Sequence, residues 1–218
     1  MRSLIISFTC VAACLSAAAT PASAHPHVLI TATAELVLAP GDVVTAIREI
    51  WTFDEMYTAF AITGFGSSAQ DPGAEGLHEV AKQNIADLAE VDYFTRLETG
   101  KQKAAFEKPI QYSAKLLKTK DDVERLQLQF LLPLKKPLEM GKEAVLRIYD
   151  PSYFTAFSFA PGDSVRLIGA ARCSIAHSKP QALAAIDQMA LTESFFTNLL
   201  PGSDFGVKMA EAVRIGCS

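Results

Sequence analysis

Cysteine is scarce in this chain. There are four in 218 residues, and no two stand in a Cys-x-x-Cys pair. A zinc ribbon and a dithiol redox motif are thereby excluded. No basic run is present. Lys+Arg number 20 against 24 Asp+Glu, a formal net charge of −4, which argues against nucleic acid and anionic membrane surfaces as partners. Neither a Gly-x-Ser-x-Gly elbow nor a phosphate loop occurs. Gly64-Phe65-Gly66-Ser67-Ser68-Ala69 matches the letters of a dinucleotide fingerprint. It sits in a polar stretch before Asp71-Pro72-Gly73, not between a strand and a helix, so no nucleotide site is expected. His78-Glu79-Val80-Ala81-Lys82 has Lys82 where a zinc-protease helix needs its second His. Half the residues are apolar and 20% are charged, a composition that buries a core.

The longest apolar stretch lies at the start. Met1-Arg2 is followed by an apolar run from Ser3 to Ala19, then by Thr20-Pro21-Ala22-Ser23-Ala24. The positive start, short apolar run and Ala-x-Ala site read as a secretory signal peptide over 1–24. The run is shorter than the ~20 residues of a spanning helix. Val11-Ala12-Ala13-Cys14 resembles a lipobox but lies very early. Cleavage after Ala24 leaves 25–218 as a single periplasmic domain, with no membrane insertion. Only Cys173 and Cys217 survive cleavage. In an oxidising compartment a disulfide between them is favoured over two buried thiols. Closing a loop of that length is worth about 4 kcal/mol in the chain-entropy model.

Val28 to Leu38 alternates with period two, so it reads as a half-buried strand. Ala39-Pro40-Gly41-Asp42 is a turn, and Val43 to Phe53 is a second strand that completes an antiparallel hairpin. Thr63 to Gly76 reads as a loop. Gly76 to Tyr93 reads as an amphipathic helix with Leu77, Val80, Ala81, Ile85 and Leu88 on one face. Further strands are expected at 110–119, 124–132, 145–149, 164–169 and near 206–217. Pro180 to Glu193 reads as a second helix, with Pro180 suited to its first turn. The fold class is α+β, a mainly antiparallel sheet or sandwich with two helices.

The processed N-terminus carries the chemistry. His25 would offer its α-amino group and ring Nδ1 to one metal, and the amine titrates near ~7.7–8.0, so it yields its proton readily. Pro26 stiffens the chain and lacks an amide N–H. His27 follows at i+2. If Pro40 and Gly41 are the two central turn residues, His27 faces Asp54. A loop one residue longer puts His27 opposite Glu55. Directly opposed residues have Cβ atoms ~4.5–5.5 Å apart, so either register sets a carboxylate beside the imidazole. The expected ligands are therefore His25, His27 and Asp54, with Glu55 as the alternative carboxylate. Imidazole, amine and carboxylate suit Zn, Ni and Cu alike. No residue is assigned a catalytic role. Tyr149-Asp150-Pro151-Ser152-Tyr153-Phe154 is expected to be an aromatic turn, with Asp150 structural.

The start His25-Pro26-His27-Val28 joins several later runs: Trp51-Thr52-Phe53-Asp54-Glu55-Met56-Tyr57, Asp92-Tyr93-Phe94-Thr95, Leu131-Leu132-Pro133-Leu134 and Leu146-Arg147-Ile148-Tyr149-Asp150-Pro151-Ser152-Tyr153-Phe154. Together they resemble a bacterial domain-of-unknown-function family. Its members are described as the periplasmic component of an uncharacterised ABC-type transport system. The resemblance implies a metal ion as ligand and a membrane metal transporter (nickel/cobalt or zinc) as partner. A binding component for an organic solute is the alternative.

The leader makes one sharp prediction. The exported protein should begin at His25, and its intact mass should show it. A start at another residue, or a lipid on Cys14, would remove the amine from the expected ligand set.

Overall fold

The computed structural model describes residues 26–63, 72–100, 102–120, 122–169, 172–180 and 204–217. The leader, His25, the Gly64–Ala69 stretch and all but Pro180 of the expected second helix lie outside the described residues. The elements are β1 (Val28–Ala39), β2 (Val43–Phe53), α1 (Glu55–Thr63), α2 (Gly73–Leu88), a 3₁₀ segment (Ala89–Phe94), β3 (Thr95–Thr99), β4 (Gln102–Lys103) and β5 (Gln111–Lys118). Next come β6 (Glu124–Glu139), β7 (Glu143–Ile148), β8 (Thr155–Phe159), β9 (Val165–Ile168), β10 (Cys173–Ser178), a 3₁₀ turn (Gly206–Met209) and β11 (Ala212–Cys217).

The strands form two sheets. The first runs β5-β6-β2-β1-β8, with β9 also paired to β1, and the second runs β10-β11-β7-β3-β4. Both are antiparallel except that β1 pairs β8 and β9 in parallel. The architecture is thus broadly α+β and sandwich-like, with a mixed rather than purely antiparallel first sheet. One face of the first sheet meets the second sheet and α2, and these share a single core that includes Trp51, Phe130, Leu97 and Leu146. The other face carries Thr31, Thr33, Glu35, Arg48, Thr52 and Gln127, half-buried or exposed. On it Glu35 takes Arg48 at 3.2 Å from β2 and Arg166 at 2.5 Å from β9.

The β1–β2 hairpin begins in the longer-loop register, the alternative expectation, and a bulge then moves it off both. The connection holds three residues, because Ala39 pairs with Val43. A bulge then intervenes: Leu38 pairs with Val44, but Val37 pairs with Ala46. Thr45 is the extra residue, and its hydroxyl donates to Val37 O at 3.1 Å. A bulge moves every later residue by one and flips the faces. Burial along β2 records the flip: Val44 and Ala46, on either side of Thr45, are buried, and from Ile47 the buried residues change phase to Ile47, Glu49, Trp51 and Phe53. Leu29, not His27, is the residue of β1 that Asp54 meets.

Glu49 is turned inward by the same shift and is fully buried. It pairs with Ala34, and Trp51 with Ala32. These small alanines leave room for the larger pair on the core face. Trp51 Nε1 donates to Glu49 Oε2 at 3.1 Å, and Thr95 Oγ1 from the second sheet lies 3.4 Å from Oε1. The Thr95 hydroxyl also donates to Tyr93 O at 2.9 Å. Burial pushes the Glu49 carboxyl up from 4.5 to about 8, against smaller lowering by the Trp51 and Thr95 hydrogen bonds.

The helix expected over Gly76–Tyr93 ends earlier, at Leu88. Beyond it Asp92, Tyr93 and Phe94 all take positive φ, at 50°, 54° and 50°. Such a conformation costs about 1–2 kcal/mol per L-residue. It is held by Thr95 Oγ1 on Tyr93 O and by the Tyr149 N–H on Phe94 O at 2.9 Å. It points Tyr93 into the core beside Phe130 and Phe94 against Phe157. α1, β3, β4, β8 and β10 have no counterpart among the expected elements, and β6 runs seven residues past its expected end. The disulfide Cys173–Cys217 is present. The two residues are a direct cross-strand pair of β10 and β11.

Protonated Glu49 favours the folded state, because its folded pKa lies above its unfolded one. That stability is complete below about pH 4.5 and is lost as pH rises towards about 8. Thermal unfolding should therefore show Tm falling between pH 5 and pH 9. Glu49→Gln, which stays neutral, should flatten the profile and exceed the parent protein at pH 9 by a few kcal/mol. Parallel profiles for the two proteins would show that Glu49 does not titrate in this way.

Candidate functional site

β2 ends at Phe53, and the chain changes at Asp54 from strand to helix. The hydrogen bonds of Asp54 explain how. Its N–H donates to Leu29 O at 2.9 Å, as a ladder residue's would. Its carbonyl instead accepts from the Thr58 N–H at 3.1 Å and the Thr58 hydroxyl at 2.6 Å, opening α1. The carboxylate takes the carbonyl's place in the ladder, where Oδ2 accepts the Leu29 N–H at 2.6 Å. Oδ1 accepts the Tyr57 N–H at 2.8 Å, which caps the helix. A carboxylate has about four acceptor positions, so among the described residues two of them stay open for a further partner.

His27 sits at the exposed start of β1. Its N–H donates to Phe154 O at 2.8 Å, and its ring lies 4.7 Å from the Phe154 ring. Because Asp54 meets Leu29, His27 stands diagonal to Asp54. In a regular ladder that places their Cβ atoms about 7–8 Å apart, not the ~4.5–5.5 Å of a facing pair. Glu55, the first residue of α1, is exposed. The structure thus brings His27, Asp54 and Glu55 to one corner of the first sheet, but in a looser arrangement than either expected register. His25 lies outside the described residues. The corner has an apolar rim, since Leu29, Met56, Phe60 and Phe154 are all exposed.

Sequence reasoning misses Phe154 as a neighbour of His27. The signal that could have found it is the parallel pairing of β8 with β1, and parallel partners far apart in sequence leave no turn to read. Asp150 is structural, as expected. Its Oδ1 accepts the Ser152 N–H at 2.8 Å and hydroxyl at 2.7 Å, and its Oδ2 accepts the Thr155 N–H at 2.9 Å. His78 stacks on Tyr112, and His177 meets Phe159 edge-on. Among the described residues, the one group of three ligand types within 4.8 Å of one another is Asp42, Cys173 and Cys217. No described helix is long and apolar enough to cross a membrane.

The chain belongs to a family described as "Protein of unknown function (DUF1007)", whose model matches residues 10–217. No curated protein matches it.

Asp54 holds both the ladder end and the helix start. Asp54→Ala should destabilise the domain by about 1–2 kcal/mol, the scale of a lost N-cap. Asp54→Asn, which keeps an acceptor oxygen, should recover most of that in chemical denaturation. Equal midpoints for Asp54→Ala and the parent protein would show that the cap contributes nothing.

Proposed function

We propose that this chain is an exported, periplasmic protein that binds a divalent transition metal at its processed N-terminus and serves metal transport or homeostasis. It acts as a carrier and not as an enzyme. The ligands are the His25 amine and ring, the His27 imidazole and the Asp54 carboxylate, with Glu55 as the alternative acid. One observation carries the reading: Asp54 stands at the corner where β1 begins, with open lone pairs on a carboxylate whose position its own two hydrogen bonds already set. Preorganisation of that kind lowers the ordering cost of binding. The His25 side supplies donors that need only lose a proton. Zn, Ni and Cu all suit such a set. The ion is cargo, and a membrane metal transporter of the ABC type is the partner that the resemblance implies.

A second reading has its own observation. The open face of the first sheet carries a groove of about 320 Å³ lined by Arg48, Gln111, Ser113 and Gln129 among others. A groove of that size with one arginine would suit a small organic anion, as in a solute-binding component.

Calorimetry with protein starting at His25 decides between them. Zn²⁺, Ni²⁺ or Cu²⁺ should bind more tightly than about 10 μM, roughly −7 kcal/mol. One extra residue before His25 should weaken binding, as should His27→Ala or Asp54→Asn. Affinity should fall from pH 8 to pH 6 as protons compete for the amine and imidazoles. Equal affinity with and without the extra residue would remove the amine from the site. No binding below 10 μM would overturn the metal reading and favour the groove.

A further inference from the structure

The opposite end of β1 carries a different cluster. Asp42 closes the β1–β2 connection, and Cys173 and Cys217 join β10 to β11. A carboxylate oxygen of Asp42 and both sulfurs lie within 4.8 Å of one another. All three residues are half-buried. One turn holds the group together from both sides. The Met140 N–H donates to Asp42 O at 3.2 Å, and the Cys217 N–H donates to Lys142 O at 3.3 Å. Gly41 and Asp42 both have positive φ, at 86° and 57°, a backbone state that sets the direction of the Asp42 side chain. The acid is therefore placed beside the sulfurs by backbone geometry at the ends of three strands, not by a flexible side chain alone.

We propose that Asp42, Cys173 and Cys217 form a redox-gated metal site: the disulfide closes it, and reduction opens it to a borderline-soft divalent ion such as Zn²⁺ or Co²⁺. Two thiolates and one carboxylate make three protein ligands, with the fourth tetrahedral position left to water. At Zn–S distances of about 2.3 Å, two tetrahedral sulfurs stand roughly 3.8 Å apart. The sulfurs, bonded to each other in the disulfide, would separate to that distance on reduction, and a carboxylate oxygen of Asp42 already lies within 4.8 Å of both. Because Cys173 and Cys217 are directly paired across neighbouring strands, the ladder keeps the thiols adjacent after the S–S bond is broken. The chemistry balances with a dithiol as reductant. Two electrons and two protons pass from the dithiol to the S–S bond, giving two thiols here and a disulfide in the reductant. The metal then displaces both thiol protons. This site is independent of the one at His27, because the length of β1, about 40 Å at ~3.3 Å per residue, separates them.

Co²⁺ is the probe, and the protein carries an extra residue before His25 together with His27→Ala, so that the first site is disabled. A phosphine reduces the disulfide, itself becoming the phosphine oxide with oxygen from water, and excess reagent is removed anaerobically. Reduced protein should bind one Co²⁺ per chain with a thiolate-to-cobalt charge-transfer band, and oxidised protein should show no such band. Cys173→Ser should abolish the band. Asp42→Asn should weaken Co²⁺ binding at least tenfold in the reduced state, and far-ultraviolet circular dichroism should show the fold retained. Zn²⁺ should displace Co²⁺ and protect both thiols from alkylation. Absence of the band in reduced protein overturns the proposal. So does unfolding on reduction that Co²⁺ fails to reverse, and so does unchanged affinity in Asp42→Asn. A failure here leaves binding at the native His25 start untouched, and the converse also holds.

Discussion

The single inserted residue Thr45 decides which side chains of β2 enter the core. A strand with period two has no freedom to slide partway. One extra residue exchanges the faces of everything beyond it. Without the bulge, Glu49 and Trp51 would sit on the open face with Thr31 and Glu35. With it, they enter the core, and Arg48 emerges to meet Glu35. The Thr45 hydroxyl on Val37 O supports the irregularity. The same insertion carries Asp54 to Leu29, and so decides where α1 begins.

Burying Glu49 is costly unless its charge is removed and its oxygens are satisfied. The protein does both. Trp51 donates to one oxygen, and the Thr95 hydroxyl lies against the other at 3.4 Å. Thr95 belongs to the second sheet, and its hydroxyl also ties the left-handed turn at Asp92–Phe94. One polar contact therefore links the centre of the first sheet to the strained entry of β3. A neutral carboxyl in this place orients the two sheets more specifically than apolar contact would. Its dependence on the proton makes the junction sensitive to alkali.

The two ends of β1 have different chemical characters. At its start an exposed imidazole packs on an aromatic ring from the turn before β8, and a capping carboxylate stands diagonal to it at the same solvent-facing corner. At its far end a carboxylate and a disulfide are pinned by the β6–β7 turn. As proposed, the first set would join hard and borderline donors that need only deprotonation, and the second would become a ligand set only after two-electron reduction. Both rely on Asp residues fixed by backbone hydrogen bonds or backbone conformation. The strands of the hairpin supply rigidity, and the residues at their ends supply direction.

Local pattern alone, alternation or a run rich in β-formers, was enough to place three strands. Val28–Ala39, Val43–Phe53 and Gln111–Lys118 lie within a residue of their expected bounds. It was also enough for the Cys173–Cys217 pair, which is the one pairing left if the chain is cleaved after Ala24, and for the backbone-holding part played by Asp150. Elements without a period were not legible. α1 is apolar on most sides, and its start signal, Asp54, reads equally well as a ligand. β8 and β10 are short and find partners far away in sequence. Above all, the placement of His27 against Asp54 rested on counting residues across a hairpin. A bulge is invisible to such counting, because Thr45 looks like any other strand residue. What admits it is the packing of Ile47, Glu49, Trp51 and Phe53 against the other sheet, an energy that exists only once the tertiary structure has formed.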